Sequence, residues 1–228
     1  MSDVELPSPT PSQPALGGET TKAVRKRPKP GERRVQILQA LATMLEQPGA
    51  ERITTAALAA RLDVSEAALY RHFASKAQMF EGLIEFIEQT IFSLVNQIVE
   101  RDASADLPDA ATERADGVRQ ATKIVAMMVQ FAEKNPGMTR VMVGDALVFE
   151  NERLQQRMTQ FFDKIEAALK QSLRSDTLIN QSATPSVEAQ VRASVLTAFV
   201  VGRLQRYARS GFRRLPSEYL EASLALIL

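Results

Sequence analysis

Apolar side chains recur at intervals of three and four residues, in one segment after another, from Gly31 to the end of the chain. This spacing places them along one face of an α-helix, whereas a half-buried strand requires strict alternation. No segment shows such alternation. We therefore predict an all-α protein of about nine helices, and 228 residues are enough for a short N-terminal domain and a larger helical body.

The first three predicted helices are short and close together. Helix 1 carries an apolar stripe from Val35 to Leu45 and ends near Pro48 and Gly49. Thr54 or Thr55 can cap helix 2, a tight turn follows at Asp63 and Val64, and Ser65 is a suitable N-cap for helix 3. Two short helices joined by a tight turn are typical of a helix-turn-helix, in which the second helix enters the major groove of DNA.

The remaining predicted helices are longer. Ser75 and Gln78 form a capping box that opens helix 4, whose apolar stripe runs from Phe80 to Ile98. A polar loop over residues 102–112 follows. Helix 5 is predicted at about Glu113 to Lys134 and is apolar on most sides, so we expect it to be central. Helix 6 is predicted from Asn135 and Pro136. Helices 7, 8 and 9 are predicted at Phe149 to about Arg174, at about Val187 to Gly211, and at Tyr219 to Leu228.

Positive charge is concentrated in one quarter of the chain. Residues 22–76 hold eleven Lys and Arg against five Asp and Glu, while residues 77–228 are slightly acidic. Such a segment suits a polyanionic partner, although charge alone fits a solvated surface equally well. We predict three parts: a disordered, Pro-rich and then basic tail (1–30), a helix-turn-helix domain (31–76) and a helical dimerisation and partner-binding domain (77–228).

The predicted recognition helix turns Ala68, Leu69 and Phe73 inward, which leaves its other face for DNA. Ala67 would let the backbone approach the bases, while Tyr70 and His72 can donate to phosphates. His72 could instead be structural, Tyr70 could pack on helix 1, and Arg71 could simply be solvated. The predicted DNA-binding residues are Thr54, Thr55, Ser65, Glu66, Ala67, Tyr70, Arg71, His72 and Lys76.

Paired residues within this stretch resemble the signature of the TetR family. They are Leu58-Ala59, Val64-Ser65, Leu69-Tyr70, His72-Phe73 and Ser75-Lys76. The resemblance implies a TetR-like fold and binding to double-stranded DNA. One departure is Asp63, which stands where most TetR relatives have glycine in the turn, and Asp tolerates a left-handed backbone better than most residues.

A closer resemblance extends over nearly the whole chain after residue 31. The segments RITTAALAARLDVSEAALYRHFASK, GLIEFIE and NPGMTRVMVGDALVFENERLQQR, with the spacing of Arg209 and Phe212, resemble the nucleoid occlusion factors, a TetR-type family. This resemblance implies a cytoplasmic, nucleoid-associated homodimer. It would bind palindromic chromosomal sites and, when bound, inhibit division by disrupting polymers of the tubulin-like protein FtsZ.

Phe86 is an aromatic side chain that falls opposite the apolar stripe of helix 4. It would be buried if helix 4 were covered on two sides. The resemblance instead implies that Phe86 lines a groove between helices 4 and 5 that takes the C-terminal tail of FtsZ. The facing wall would be Met127, Gln130, Lys134 and Asn135. The nucleoid occlusion family carries a basic residue near the position of Leu94, so docking there is expected to differ.

Small residues interrupt the larger apolar residues of helix 8. Ala193, Ala198, Gly202 and Ala208 would permit close approach of a second helix, and we predict dimerisation through helix 8 with helix 7 completing a four-helix interface. Glycine in mid-helix costs about 0.5 to 1 kcal/mol relative to alanine, so something should offset it.

Other classes of function fit the sequence less well. A TetR-type repressor controlled by a small apolar ligand is the main alternative. The aliphatic and Met side chains that helices 5 and 7 turn inward do not decide between the two functions, because apolar effectors exist. The chain has no Cys and one His, which removes the usual sets of nucleophiles and metal ligands, so we expect no enzyme, cofactor or metal site. No signal peptide or membrane span is predicted, and the lack of Cys suits a reducing cytosol.

Overall fold

The computed structural model describes residues 31–47, 53–103, 110–179 and 184–228. Within these ranges every regular element is helical, which confirms the predicted all-α class. The predicted tail over residues 1–30 lies outside the described residues. The helices are α1 (Glu32–Leu45), α2 (Thr55–Arg61), α3 (Glu66–Tyr70), α4 (Lys76–Ala103), α5 (Ala110–Lys134), α6 (Pro136–Met142), α7 (Glu152–Ile179), α8 (Pro185–Arg209) and α9 (Leu220–Ile227), with a 3-10 turn at Asp145–Leu147.

The three N-terminal helices share a small apolar core. α1 contributes Ile37, Leu41 and Leu45, which are almost completely buried, and α2 and α3 contribute Leu58 and Leu69. Val35 is an exception, because we predicted it in the buried stripe of helix 1 and its side chain is 53% exposed. Two residues before Ile37, Val35 is rotated about 160° away from the core at 100° per residue.

Local polar signals fix the start of each short helix. The Thr54 hydroxyl accepts a hydrogen bond from the Ala57 amide at 3.1 Å, so Thr54 rather than Thr55 caps α2. The Ser65 hydroxyl accepts one from the Ala68 amide at 3.3 Å and caps α3. Between them Asp63 has φ 53°, the left-handed conformation that the turn requires.

The capping box of α4 forms with a small change of partner. The Ser75 hydroxyl accepts from the Gln78 amide at 3.2 Å, while the Gln78 side chain reaches back to the amide of Ala74 rather than that of Ser75. α4 then runs from the helix-turn-helix into the body. A second connection is made by α6, which packs on α1.

A close backbone approach between the two parts lies at Gly137 of α6. A Cβ atom placed there would overlap the carbonyl oxygen of Ala42 in α1 and would lie 3.2 Å from the Cβ of Leu45. Only glycine therefore allows this helix contact, which joins the helix-turn-helix to the body independently of α4.

The body consists mainly of α5, α7 and α8 packed together, with α4 along one side. The predicted stripe of α7 is buried at every position: Leu154, Met158, Phe161, Ile165, Leu169 and Leu173.

Three predicted helix starts in the body were wrong. α7 begins at Glu152 instead of Phe149, whose side chain is 60% exposed. α8 begins at Pro185, two residues before the predicted start at about Val187, and Pro185 occupies its first turn. α5 begins at Ala110, inside the predicted polar loop.

The lengths and polarity of the helices show whether any of them could span a membrane. Among the residues that the structure describes, no helix combines the length and the apolar character needed to cross a lipid bilayer.

Candidate DNA and partner interfaces

The recognition helix α3 turns the predicted face outward. Leu69 is 1% exposed and anchors the helix to α1 and α2, whereas Glu66, Ala67 and Tyr70 lie on the surface. Arg71, which follows the helix, is also exposed. The predicted contact residues on and after α3 therefore lie together on one accessible face.

A hydrogen-bonded group links α2 to α3 on this face. The Thr55 hydroxyl donates to the Glu66 carboxylate at 2.5 Å, and the Tyr70 hydroxyl lies 3.5 Å from the Thr55 oxygen. Because the Glu66 carboxylate already accepts from Thr55, it helps to fix the angle between the two helices. Tyr70 reaches toward α2 rather than α1, with its side chain 45% exposed.

Arg34 is a residue whose role the sequence analysis missed. It lies in α1, and its guanidinium donates to the backbone carbonyl of His72 at 3.1 Å and lies 4.2 Å from the centre of the Phe73 ring. Arg34 therefore holds the end of the recognition helix. The His72 side chain remains exposed, so it does not belong to the core.

Lys76, a predicted DNA contact, already has a partner in the body. Its ammonium group lies 2.5 Å from a carboxylate oxygen of Glu150, and the side chain of Glu150 is only 9% exposed. Lys76 also lies near the Phe80 ring, at 5.7 Å from its centre. A DNA phosphate would therefore have to compete with Glu150 for this cation.

The predicted partner surface lies on two helices that pack together, α4 and α5. Phe86 is 46% exposed, between the buried Leu83 and Ile87, so the alternative that it belongs to the core does not hold. On α5, Gln130 and Lys134 are exposed and Met127 is partly buried.

Asn135, the last residue of the predicted partner surface, also has a structural role. It occupies the N-cap position of α6, yet its side chain makes no capping bond there. Its amide donates instead to the Phe131 carbonyl at 2.8 Å, so it closes the end of α5. Asn135 is partly buried as a result.

An apolar line runs along the outer face of α8. Val187, Val191 and Val195 are between 47% and 59% exposed, and Ala198 continues the line. At Gly202 an added Cβ would meet no atom within 4 Å.

Two of the four small residues predicted at this interface were wrongly placed. Ala193 and Ala208 are 0% and 5% exposed within the protomer core. They allow α8 to approach its neighbours inside the protomer, whereas Ala198 and Gly202 remain on its outer face.

Comparison with known proteins accounts for both parts of the chain. Residues 37–83 match the model of the bacterial regulatory proteins of the tetR family, and residues 116–228 match the Tetracyclin repressor-like, C-terminal domain of the SlmA-like group. Nucleoid occlusion factor SlmA of Vibrio vulnificus (strain YJ016) is 47% identical over 87% of this chain and 95% of its own length. The chain belongs to the SlmA family of nucleoid occlusion factors. SlmA of Vibrio cholerae is 46% identical over 86% of this chain and 93% of its own length.

Solved structures share the fold at much lower identity. The regulator FadR of Bacillus subtilis, in complex with stearoyl-CoA, has a TM-score of 0.64 and 11% identity, covering 85% of this chain and 96% of its own. A TetR-family regulator from Bordetella parapertussis has a TM-score of 0.61 and 15% identity, covering 87% and 95%. This SlmA-family chain is thus a helix-turn-helix DNA-binding protein on a TetR scaffold.

The departure at Leu94 from the SlmA-family pattern can now be placed. Leu94 lies on α4 two turns after Phe86, and its side chain is partly buried. An aliphatic side chain at this position contributes packing and no charge.

Proposed function

We propose that the chain is a nucleoid occlusion factor that binds palindromic chromosomal DNA as a homodimer and, when bound, inhibits division by disrupting FtsZ polymers. The observation that carries the proposal is identity of 47% to SlmA over nearly the whole length of that relative. The proposal needs two accessible surfaces on separate elements, and α3 and the outer face of α4 provide them. The names of these relatives are those of regulators rather than enzymes.

DNA reading is assigned to α3. The side chain of Ala67 is small enough for the helix backbone to approach base edges, while Tyr70, Arg71 and His72 lie at the exposed end of the helix, where phosphates pass. Ser65 and Thr54 cap α3 and α2, so their hydroxyls fix the helix starts from which amides face the backbone of DNA. Thr55 and Glu66 set the angle between the helices.

A palindromic site requires two recognition helices related by a twofold axis. The outer face of α8 suits this role, because its valines, Ala198 and Gly202 form an apolar line that one protomer leaves in contact with water. α7 packs beside α8 and completes a four-helix interface with the second copy.

The FtsZ contact is assigned to the surface between α4 and α5. Phe86 offers an apolar anchor, and the Lys134 ammonium offers a cation for acidic residues of a tail. Gln130 and Met127 lie one and two turns before Lys134 on α5, at helical spacing that keeps them on the same side.

The test is sedimentation of FtsZ polymers with the full chain, with and without a DNA fragment that carries its site. We expect the double variant Phe86→Ala, Lys134→Glu to lose the effect on FtsZ while its DNA affinity stays within about twofold, since α3 is untouched. A control is Val99→Ala, Lys164→Glu, which combines a smaller apolar truncation with the same charge reversal at exposed positions of α4 and α7 and should leave both activities intact.

Folding must be established first, by wild-type helicity and dimer mass. If the folded double variant still removes FtsZ polymers in the presence of DNA, the assigned surface is wrong. If wild-type protein bound to DNA leaves FtsZ polymers unchanged at all concentrations, the proposed function itself is wrong.

A further inference from the structure

A cavity of about 540 Å³ opens beside the C-terminal end of α8. Three arginines line it: Arg203 and Arg206 from α8, and Arg214 from the segment that leads to α9. Leu215, Pro216 and Tyr219 form the rest of the wall, together with the carboxylate of Glu218. In the proposed function Gly202 lies in the dimer interface, and Arg206 follows it by one turn of α8, so the cavity adjoins the end of that interface.

Arg203 shapes the wall of the cavity. Its guanidinium donates to the carbonyls of Pro216 at 2.9 Å and Glu218 at 2.6 Å, and to the Ser223 hydroxyl at 2.7 Å. These bonds hold the 214–219 segment against α8. Burial and then the nearby charge of Arg206 lower the pKa of Arg203, as expected where positive charges are crowded together.

Arg206 and Arg214 differ from Arg203, because both are exposed and neither guanidinium has an ion pair or hydrogen bond to another described residue. The lining carries three guanidinium groups against one carboxylate, a net charge of +2. That charge complements a phosphate ester dianion, and the planar fork of a guanidinium matches the oxygens of phosphate in a bidentate manner.

Tyr219 adds a second kind of contact. Its ring is 78% exposed, and its backbone has φ 54°, a conformation that costs free energy in any residue other than glycine. Aromatic rings exposed beside a cationic cavity can stack on a planar group of a ligand. Leu215, 51% exposed, extends the apolar part of this wall.

We propose that this cavity binds a small phosphate ester that carries a planar group, of about mononucleotide size. The volume lies within the range of small-molecule sites. A cavity of this volume can enclose a small ligand, whereas a DNA duplex is too wide to enter it.

The probe is adenosine 5′-monophosphate, titrated by calorimetry into the full-length dimer, with adenosine and inorganic phosphate as separate arms. We expect the nucleotide to bind at least about tenfold more tightly than adenosine, because charged hydrogen bonds are lost without the phosphate. Arg206→Ala with Arg214→Ala should weaken binding of the nucleotide at least about tenfold for the same reason.

Two further variants separate the parts of the site. Arg213→Ala removes a neighbouring exposed arginine that does not line the cavity, and it should bind the nucleotide like the wild type. Tyr219→Ala should lower affinity for the nucleotide toward that of inorganic phosphate, since only stacking is removed.

The proposal is overturned if the wild-type dimer does not bind the nucleotide or if the double arginine variant binds it equally well. Two companion measurements identify what the arginines would do in that case. Loss of DNA affinity in the double variant by fluorescence anisotropy would make them DNA contacts. A change in dimer mass by light scattering would place them under the second copy of the chain.

Discussion

The helix-turn-helix and the body of this protein are held together in different ways. In α1 to α3 the helices are short, α3 has five residues with Leu69 as its buried anchor, and hydroxyl caps and one left-handed turn define the geometry. In the body, α7 alone buries six large apolar side chains in a single stripe. The first region depends on local polar signals and the second on extended apolar packing.

The surfaces that the two regions leave in contact with water also differ. Around α3 they are polar or small apart from the ring of Tyr70, which carries a hydroxyl, while on α4 and α8 they include the wholly apolar side chains of Phe86, Val191 and Val195. A polar face with cations suits a nucleic acid, and exposed apolar lines suit proteins. We therefore predict that substitutions around α3 alter DNA binding, whereas substitutions on the exposed apolar surfaces of the body alter association with proteins.

The contact between the regions at Gly137 should be the most sensitive point. Gly137→Ala places a methyl group on the Ala42 carbonyl, where backbone must move, so we expect the free energy of unfolding to fall by about 4 kcal/mol or more. Urea unfolding measures this. Gly82→Ala is the matched control, because its Cβ would meet Leu38 side-chain atoms at 3.1 Å and 3.2 Å, which can shift; an equal loss in both variants would contradict the prediction.

Gly202→Leu should have the next largest effect, on association and not on the fold. An added Cβ meets no atom of the protomer within 4 Å, so we expect the larger side chain to clash with the second copy and the dimer dissociation constant to rise at least about a hundredfold, or about 2.7 kcal/mol. Light scattering across a dilution series gives the constant. Ala225→Leu, on the exposed side of α9, is the control, and an unchanged dimer in Gly202→Leu would move the interface elsewhere.

Changes on α3 should separate base reading from phosphate contact. Ala67→Leu should hold the helix away from the bases and lower the ratio of specific to non-specific DNA affinity at least about tenfold. Tyr70→Ala should weaken both DNAs alike and keep the ratio, since phosphate contacts carry no sequence information. Fluorescence anisotropy with site and scrambled DNA measures the ratio, and retained specificity in Ala67→Leu would contradict the assigned register.

Removal of the N-cap of α3 should destabilise the helix-turn-helix measurably, although only one hydroxyl group is lost. Ser65→Ala deletes the hydroxyl that accepts from the Ala68 amide, and we expect a loss of about 1 kcal/mol in the free energy of unfolding. Chemical denaturation monitored by circular dichroism gives the value. Ser65→Asp keeps a cap and should restore most of it; a Ser65→Ala variant as stable as the wild type would show that apolar packing alone holds α3.

The smallest expected effect is a pH dependence in the body. Burial, and then the charges of Glu133 and Glu46, raise the pKa of Tyr207 above its unfolded value near 10. The stabilisation is complete below pH 10 and is lost as pH rises through the folded pKa. Tyr207→Phe cannot ionise, so its unfolding midpoint should fall less than that of the wild type between pH 9.5 and 11.5, and parallel losses would contradict the assignment.

Sequence patterns sufficed where the cause is local. The caps at Ser65 and Ser75 and the stripe of α7 follow from residues within a few positions of one another. The start of α7 was missed although a local signal existed, since the Asn151 side chain accepts from the Arg153 amide at 2.9 Å and caps the helix.

Where two distant segments meet, the sequence carried no such signal. The contacts of Arg34 with His72 and Phe73, and of Lys76 with Glu150, depend on how α1 and α7 are placed by the fold. The four small residues of α8 show the same limit. Periodicity separates the two faces of that helix, but packing decides which face enters the protomer core, and it buried Ala193 while leaving Ala198 outside.

If Lys76 contacts DNA, its ion pair with Glu150 couples DNA binding to the position of the segment before α7. If a phosphate draws the Lys76 ammonium away, a carboxylate that is 9% exposed loses its counter-charge, and a nearly buried unpaired charge is costly. A shift of the segment before α7 that exposes Glu150 to water would then be favoured. By thermodynamic linkage, a ligand or partner that displaces this segment must change the affinity for DNA by the same factor by which DNA changes affinity for it.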